Sequence, residues 1–422
     1  MRKLILILAL ALLIGSAGAI KWSGIELRED ANLTMDDGFV NGTGGIVFNG
    51  TAPTSTEGVL YSDSGILKFN GASVGGSGSP AYTTILKIAS GSIYEYDGDG
   101  NMLDSGSSST PADVHDIIEH AIGRGGTCLM LAGTYDIGAN EINPPTDGSR
   151  WVLEGADRET VIIKGSGTQV FNFASTSGTY RETGCIRDLT IDGSTGTAHG
   201  IVIAAKYCWT EIANRVNIEN CVDAISISDS VDLDFTDVRI STCSYGVKIL
   251  TGCTAINFVR PYIDTITNQG IYLEGEVCGC KFSDGVVEMC GNPAIKFYRT
   301  SSGKPSGCVL DSLWIEEDGT NDLILFDGNT GTSGWYGPTG NIIQRCTFHC
   351  GSDVNAFVIT RGRRNIFSEN VCFGSGSNHF TISEGAYSET NLILNCVTTG
   401  SGHWVVSDSG TTNVKTNVAE AE

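Results

Sequence analysis

Gly200-Ile201-Val202-Ile203, Ala224-Ile225-Ser226-Ile227, Gly246-Val247-Lys248-Ile249, Gly270-Ile271-Tyr272-Leu273 and Ala294-Ile295-Lys296-Phe297 repeat one phrase. A small residue is followed by an apolar, a variable and a second apolar position. Within the phrase the alternation is that of a strand with one buried face. The first apolar residue recurs at Phe171, Ile201, Ile225, Val247, Ile271, Ile295, Leu323, Phe357, Phe380 and Trp404. The period is about 24 residues with a few insertions, the length of one coil of a β-solenoid. Strands of successive coils stack, and the turns absorb the extra residues. At ~4.8 Å per rung, ten recurrences make a rod on the order of 50 Å long.

A second apolar-x-apolar strand precedes the first in most coils and ends at Ile191, Ile218, Ile240, Ile263, Val287, Ile315 and Phe348. Three residues before each of these stand Asp188, Arg215, Asp237, Arg260, Asp284, Ser312 and Arg345. Stacked rungs would set opposite charges side by side almost throughout, each pair contributing roughly 0–1 kcal/mol at a surface. A register chosen from apolar residues has no built-in reason to produce this alternation. It therefore supports the stacking independently, and its meaning is structural.

Composition narrows the function. The 422 residues carry 26 Lys plus Arg against 48 Asp plus Glu, a net charge of −22, so binding of nucleic acid through a basic face is not expected. Charged residues make up 18 % and hydrophobic residues 41 %, which excludes a charged disordered tail. Gly at 55 residues is roughly twice its usual share while Pro is only 9, a balance that suits many short strands.

The chain starts with Arg2 and Lys3, an apolar run from Leu4 to Ile14, and Ala17-Gly18-Ala19, the layout of a secretory signal peptide over 1–19. A retained anchor is the alternative, although the run is short for a bilayer. No other segment suits a membrane span, so the mature chain is expected outside the cell or on its surface without a transmembrane anchor. Fourteen cysteines in that compartment suggest disulfides, with Cys278/Cys280 and Cys346/Cys350 as the local pairs. Yet the cysteines recur near the turns of the repeat, where stacked buried thiols are the other reading. Residues 20–75 form a small Gly/Thr-rich β module with three N-x-T sequons at Asn32, Asn41 and Asn49, which read as a glycosylated arm or as chance in such a stretch. Residues 76–110 hold a linker, Gly75 to Pro80, and a short β segment. The solenoid is expected over 111–410 and a polar tail over 411–422.

Thr110-Pro111-Ala112-Asp113 reads as a capping-box start with Pro at the first helical position. Val114, Ile117, Ile118, Ala121 and Ile122 follow at helical spacing, and Gly123 ends the run. Gly125-Gly126-Thr127-Cys128-Leu129-Met130-Leu131-Ala132-Gly133-Thr134-Tyr135 comes next. A capping helix followed by this run resembles the start of the pectin-lyase-like superfamily. The resemblance implies an all-β, right-handed single-stranded parallel β-helix of about ten coils behind an N-terminal capping helix. Thr54 to Asp63 with Leu67 to Gly71 resembles short modules of phage tail-fibre and virion-surface proteins, which implies attachment to a cell envelope or virion surface. Tailed-phage fibres assemble in the cytoplasm without a signal peptide, so a microbial envelope protein agrees better with residues 1–19.

Two columns are candidates for function. Just after the second strand stand Asp192, Glu219, Ser241, Asp264, Glu288, Glu316 and His349. Like charges ~5 Å apart raise one another's pKa or recruit a cation. Asp264, Glu288 and Glu316 are therefore candidate Ca²⁺ ligands, or two carboxylates of the set act as acid and base on a glycosidic bond. A solvated acidic edge is the third reading. On the first strand the outward positions are Val202, Ser226, Lys248, Tyr272, Lys296 and Ile324. His199, Asp223, Tyr245 and Gln269 precede it, and Tyr298 and Arg299 follow in one coil. Flat rings suit the apolar faces of sugars and cationic side chains suit carboxylates, so His199, Tyr245, Gln269, Tyr272, Lys296, Tyr298 and Arg299 are candidate glycan-binding residues.

Polygalacturonase-like members carry N-T-D, an Asp pair, G-H-G and R-I-K. Cys221-Val222-Asp223 resembles the first only in its Asp, and Ala198-His199-Gly200-Ile201 the third only in His-Gly-Ile, in reversed order along the chain. The Asp pair, the R-I-K and the pectate-lyase motifs are missing, which argues against a standard pectinase but not against tailspike-type depolymerases. The first expectation is a glycan-binding β-helix, adhesin- or tailspike-like. The second is a polysaccharide lyase with Ca²⁺ at the acidic column and Lys248 as base, or a hydrolase using two of Asp223, Asp264, Glu288 and Glu316. The third is a structural envelope protein that contacts only proteins. An open final coil would leave a strand edge for a further subunit, as in a homotrimer.

Overall fold

A computed structural model describes residues 82–399 apart from 146–149, 174–183, 195, 205–207, 292, 318–321, 329–336, 352–354, 375–379 and 383–387, together with 60–63, 66–69, 72–73, 406–408, 413–416 and 419–421. The signal segment, the three sequons and Trp404 lie outside these residues. The chain divides into two compact units, Met1–Gly71 and Ala72–Glu422. In the first, Leu60–Asp63 and Ile66–Phe69 pair as an antiparallel hairpin.

The second unit is a right-handed parallel β-helix of about nine turns. Three sheets of twelve, ten and sixteen strands run its length, each taking strands from successive coils. Burial alternates along the strands as successive side chains point to opposite faces, with Trp151, Leu153 and Gly155 inward in one strand and Val161, Ile163 and Gly165 in another. Inside, like residues stack. Phe258 lies between Phe235 and Phe282 with ring centroids 4.4 and 4.7 Å away, and Phe297 stacks on Phe326 at 4.6 Å.

The register of the twelve-stranded sheet is the one expected. Ile191, Ile218, Ile240, Ile263, Val287, Ile315 and Phe348 pair in sequence. The ten-stranded sheet departs from expectation in one coil. Ile295 faces Ile324, so Leu325 and not Ile324 holds the outward position beside Lys296. Leu323 falls on the small-residue corner and is itself buried. In the last coil, Val406 pairs with Phe380.

The charged column lies at corners where Asp188, Arg215, Asp237, Arg260, Asp284, Ser312 and Arg345 all adopt left-handed backbone, φ 52–59°. Arg215 bridges to Asp188 and Arg260 to Asp237. Ser312 interrupts the pattern, and Arg345 turns to Asp311 at 2.6 Å. A second corner holds an amide ladder: the backbone N–H groups of Cys308, Asn341, Asn365 and Asn391 donate to the side-chain oxygens of Asn341, Asn365, Asn391 and Asn413.

Helix α1 (Pro111–Gly123) covers the first coil with Val114, Ile117, Ile118, Ala121 and Ile122 buried. The expected capping box does not form. Thr110 is extended and makes no side-chain cap bond, while Asp113 accepts the Ser107 backbone N–H at 2.8 Å. Before the helix, strands Thr84–Ala89, Ser92–Asp97 and Met102–Ser107 make an antiparallel meander that joins the sixteen-stranded sheet through Thr84–Ala89. After residue 410, Val414–Thr416 and Ala419–Ala421 pair with Leu392–Leu394 and Val397–Thr399, so coiling extends into the stretch expected as a tail. Among the described residues no helix is long and apolar enough to cross a membrane.

Candidate functional site

The outer face of the ten-stranded sheet gathers most of the candidate residues. Strands His199–Ala204, Asp223–Ser228, Tyr245–Ile249, Ile271–Glu274 and Ile295–Arg299 lie side by side. Ser226, Lys248, Tyr272 and Lys296 follow one another across them. Asp223 pairs with Tyr245, and Glu274 with Tyr298.

Asp223 is the buried centre of this face, with 4 % of its surface exposed. Its Oδ2 receives Lys248 Nζ at 3.2 Å and lies 3.1 Å from His199 Nδ1. Three successive rungs thus converge on one carboxylate oxygen. Burial pushes the Asp223 carboxyl up, but the His199 contact and the Lys248 charge outweigh it and hold the group below the usual carboxylate range. Asp223 is therefore a buried anion hydrogen-bonded to the Lys248 ammonium, with the His199 imidazole in ion-pair range.

Beside this trio runs a ladder of tyrosines. Tyr245 and Tyr272 have ring centroids 6.4 Å apart, as have Tyr272 and Tyr298. Lys248 Nζ sits 4.6 Å from the Tyr245 ring centre and Lys296 Nζ 4.7 Å from that of Tyr298. Lys296 also lies 3.8 Å from Asp327. Burial, then the charge of Glu274, pushes the Tyr272 hydroxyl up, so it stays protonated as a donor. Arg299 pairs across the sheet with Gly328 at the end of its strand, and Gln269 accepts the Gly246 backbone N–H at 3.1 Å.

The acidic column lies on a different sheet, the twelve-stranded one. Asp223 and Lys248 are together, whereas Asp264, Glu288 and Glu316 are in register on the twelve-stranded sheet. Nor do those three converge on one point as metal ligands. Each is engaged by a neighbour: Asp264 lies 3.7 Å from Arg239, Glu288 accepts from the Tyr262 hydroxyl, and Glu316 accepts from Trp314 Nε1 at 2.8 Å and contacts His349 Nδ1 at 2.7 Å. The Trp314 bond and then His349 hold Glu316 below its usual range despite partial burial. Asp264 and Glu288 thus take their partners from the preceding strand, and Glu316 takes Trp314 from its own strand and His349 from the next. Glu219 is an acid pushed up, by burial and then by Asp192.

This class of molecule is a parallel β-helix with the pectin-lyase-like fold. No family model and no curated protein sequence matches the chain. Among solved structures, the A-module of mannuronan C-5 epimerase AlgE4 from Azotobacter vinelandii is similar at 13 % identity and TM-score 0.58, covering 72 % of this chain and 92 % of its own. A DFA-IIIase from Arthrobacter chlorophenolicus follows at 11 % and 0.53, covering 74 % and 91 %. A double mutant of the tailspike protein of E. coli bacteriophage HK620 stands at 11 % and 0.52, covering 72 % and 61 %.

Proposed function

We propose that this protein is a surface or extracellular β-helix that binds an acidic polysaccharide along the Tyr245–Tyr272–Tyr298 ladder. The observation that carries the reading is the spacing: one ring per rung, with Lys248 and Lys296 against the outer two rings. The rings stand 6.4 Å apart on successive rungs and step obliquely across the sheet, so an extended chain lying along them meets a ring at each coil. Lysines on the strip suit uronate carboxylates even though the whole chain is strongly acidic. The AlgE4 module, named for mannuronan, and the HK620 tailspike, a mutant of which is described in complex with a pentasaccharide, make a glycan ligand consistent with the fold. The test is affinity electrophoresis against acidic and neutral polysaccharides. Retardation by the acidic set, relieved by salt, is expected, and equal mobility throughout would end the proposal.

A second reading rests on the His199–Asp223–Lys248 trio. With Asp223 Oδ2 3.1 Å from His199 Nδ1, Nε2 is left as the other proton site, which suits a general base or acid. A lyase acting on a uronate would use His199 or Lys248 to take the proton next to the carboxylate. A hydrolase would draw its two carboxylates from Asp264, Glu288 and Glu316, in register on the twelve-stranded sheet but each engaged by a neighbour, since Asp223 stands on another sheet. Absorbance at ~235 nm and new reducing ends, followed over a glycan panel, separate lyase, hydrolase and pure binder.

A further inference from the structure

We propose that Glu95, Asp104 and His120 form a binding site for one divalent transition-metal ion, with Zn²⁺ as the reference, that ties the N-terminal meander to helix α1. It is independent of the polysaccharide reading.

Glu95 and Asp104 stand directly opposite each other on the antiparallel strands Ser92–Asp97 and Met102–Ser107. Cross-strand partners project to one face, here the face under the helix. The last turn of the helix brings His120 over them. One donor atom from each of the three lies within 4.8 Å of the other two, the only such triad among the described residues. His120 Nδ1 is already 3.3 Å from Asp104 Oδ2.

Proximity alone would be an ordinary charged corner. The second observation is the state of Glu95. Its side chain is fully buried; Oε1 accepts from Arg124 Nε at 2.7 Å, and the buried Oε2 has no partner. Leaving a carboxylate oxygen desolvated and unpaired is costly, and native folds rarely tolerate it. A cation between Glu95, Asp104 and His120 satisfies that oxygen. Arg124 balances one of the two carboxylates, so the pocket keeps net negative charge for a dication. One imidazole and two carboxylates favour Zn²⁺ and its neighbours over Ca²⁺ or Mg²⁺, which prefer all-oxygen shells. His120 is 64 % and Asp104 40 % exposed, so an ion enters from solvent and keeps water as a remaining ligand.

The test uses the full mature chain without a polyhistidine tag, titrated with ZnCl₂ by calorimetry and with CoCl₂ by visible absorption. Fourteen cysteines make thiolate binding the main rival, and Co²⁺ distinguishes it, since a thiolate ligand adds an intense near-ultraviolet charge-transfer band. We expect one equivalent of metal, Co²⁺ bands without the thiolate transition, and a higher melting temperature with Zn²⁺. His120→Ala and Asp104→Asn, both solvent-side changes that spare folding, should each weaken binding roughly tenfold or more. Arg124→Ala should retain the metal and tighten it. Absence of binding, a thiolate band, or undiminished affinity in either His120→Ala or Asp104→Asn overturns the site.

Discussion

Asn341 and Asn365, in adjacent coils, are joined twice: Asn365 Oδ1 accepts the Asn341 backbone N–H at 3.1 Å and the Asn341 side-chain Nδ2 at 3.0 Å. Both residues are fully buried. Asn365 donates onward to Pro338 O and to Asn391 Oδ1, each at 3.1 Å. An asparagine here is both donor and acceptor for the turn above and the turn below. Asn365→Ala would strand two donors of Asn341, whereas Pro338 O keeps the Arg363 backbone N–H and Asn391 Oδ1 keeps the backbone N–H of residue 365. A cost of about 2–4 kcal/mol is expected from buried groups left unpaired. Urea denaturation measures it, and a change under half a kcal/mol would show that water replaces the amide.

Phe258 tests the stacked interior. Its ring is held on both faces by Phe235 and Phe282, and it is almost wholly buried. Phe258→Ala should destabilise by about 3–5 kcal/mol, and Phe258→Leu by much less, because only the first leaves a ring-sized void. In a solenoid the damage is local, so hydrogen exchange should rise first in the three coils that contain these rings. Uniform exchange across the rod would contradict that picture.

The repeat was legible because apolar and charged positions recur with the same period. The twelve-stranded register could be read to the residue: Asp237 does stand beside Arg260 and within the field of Arg215. One coil slipped because Leu323 and Ile324 are adjacent and both apolar, so nothing local marks which points inward. The amide ladder was visible only as spacing between Asn341, Asn365, Asn391 and Asn413, hidden because Asn is common in any turn. The site was half legible. Outward residues of each strand could be named, but which carboxylate is buried among which cations depends on how three rungs pack. That is why Asp223, His199 and Lys248 emerged together while Asp264, Glu288 and Glu316 proved to belong to another sheet with their own partners.

Asp223 gives a pH dependence with a definite sign. Its folded-state pKa is lowered below the unfolded value, so its pairing stabilises the fold above about pH 4 and is lost as pH falls through the folded value. Asp223→Asn should therefore be destabilising at pH 7 and progressively less so at a pH below about 4. Urea midpoints of the two proteins at both pH values decide the matter. A difference that stays constant with pH would mean that the variant acts through packing and not through charge.

Tyr272 is the middle rung of the proposed binding ladder, with its ring between Tyr245 and Tyr298. Tyr272→Ala should weaken binding of the acidic polysaccharide about tenfold, the effect of losing one aromatic platform. Tyr272→Phe should lose far less, since the ring remains. Lys296→Ala should reduce the salt dependence of binding as well as its strength, because it removes charge from the strip. If Tyr272→Ala binds like the parent while Trp314→Ala does not, the ligand uses the twelve-stranded face, where Trp314 is 40 % exposed.

The thiols close the choice that the sequence left open between disulfides and stacked cysteines. All thirteen cysteines with described side chains are free, and of them only Cys278 is exposed. Cys280 lies against Cys308 of the next coil rather than bonding to Cys278, and Cys346 donates its backbone N–H to Asn370 Oδ1. Burial pushes Cys128, Cys253, Cys346 and Cys350 up to about 12, so almost none of these four is thiolate at neutral pH. In a Cys208→Ser background, a disulfide-exchange reagent should label one thiol quickly, Cys278, and the rest only after the coils are unfolded in denaturant. Cys278→Ser should abolish the fast phase. Several fast thiols would mean that the corners open readily. A mass deficit of two hydrogens per cysteine pair would mean that the buried thiols have oxidised to disulfides.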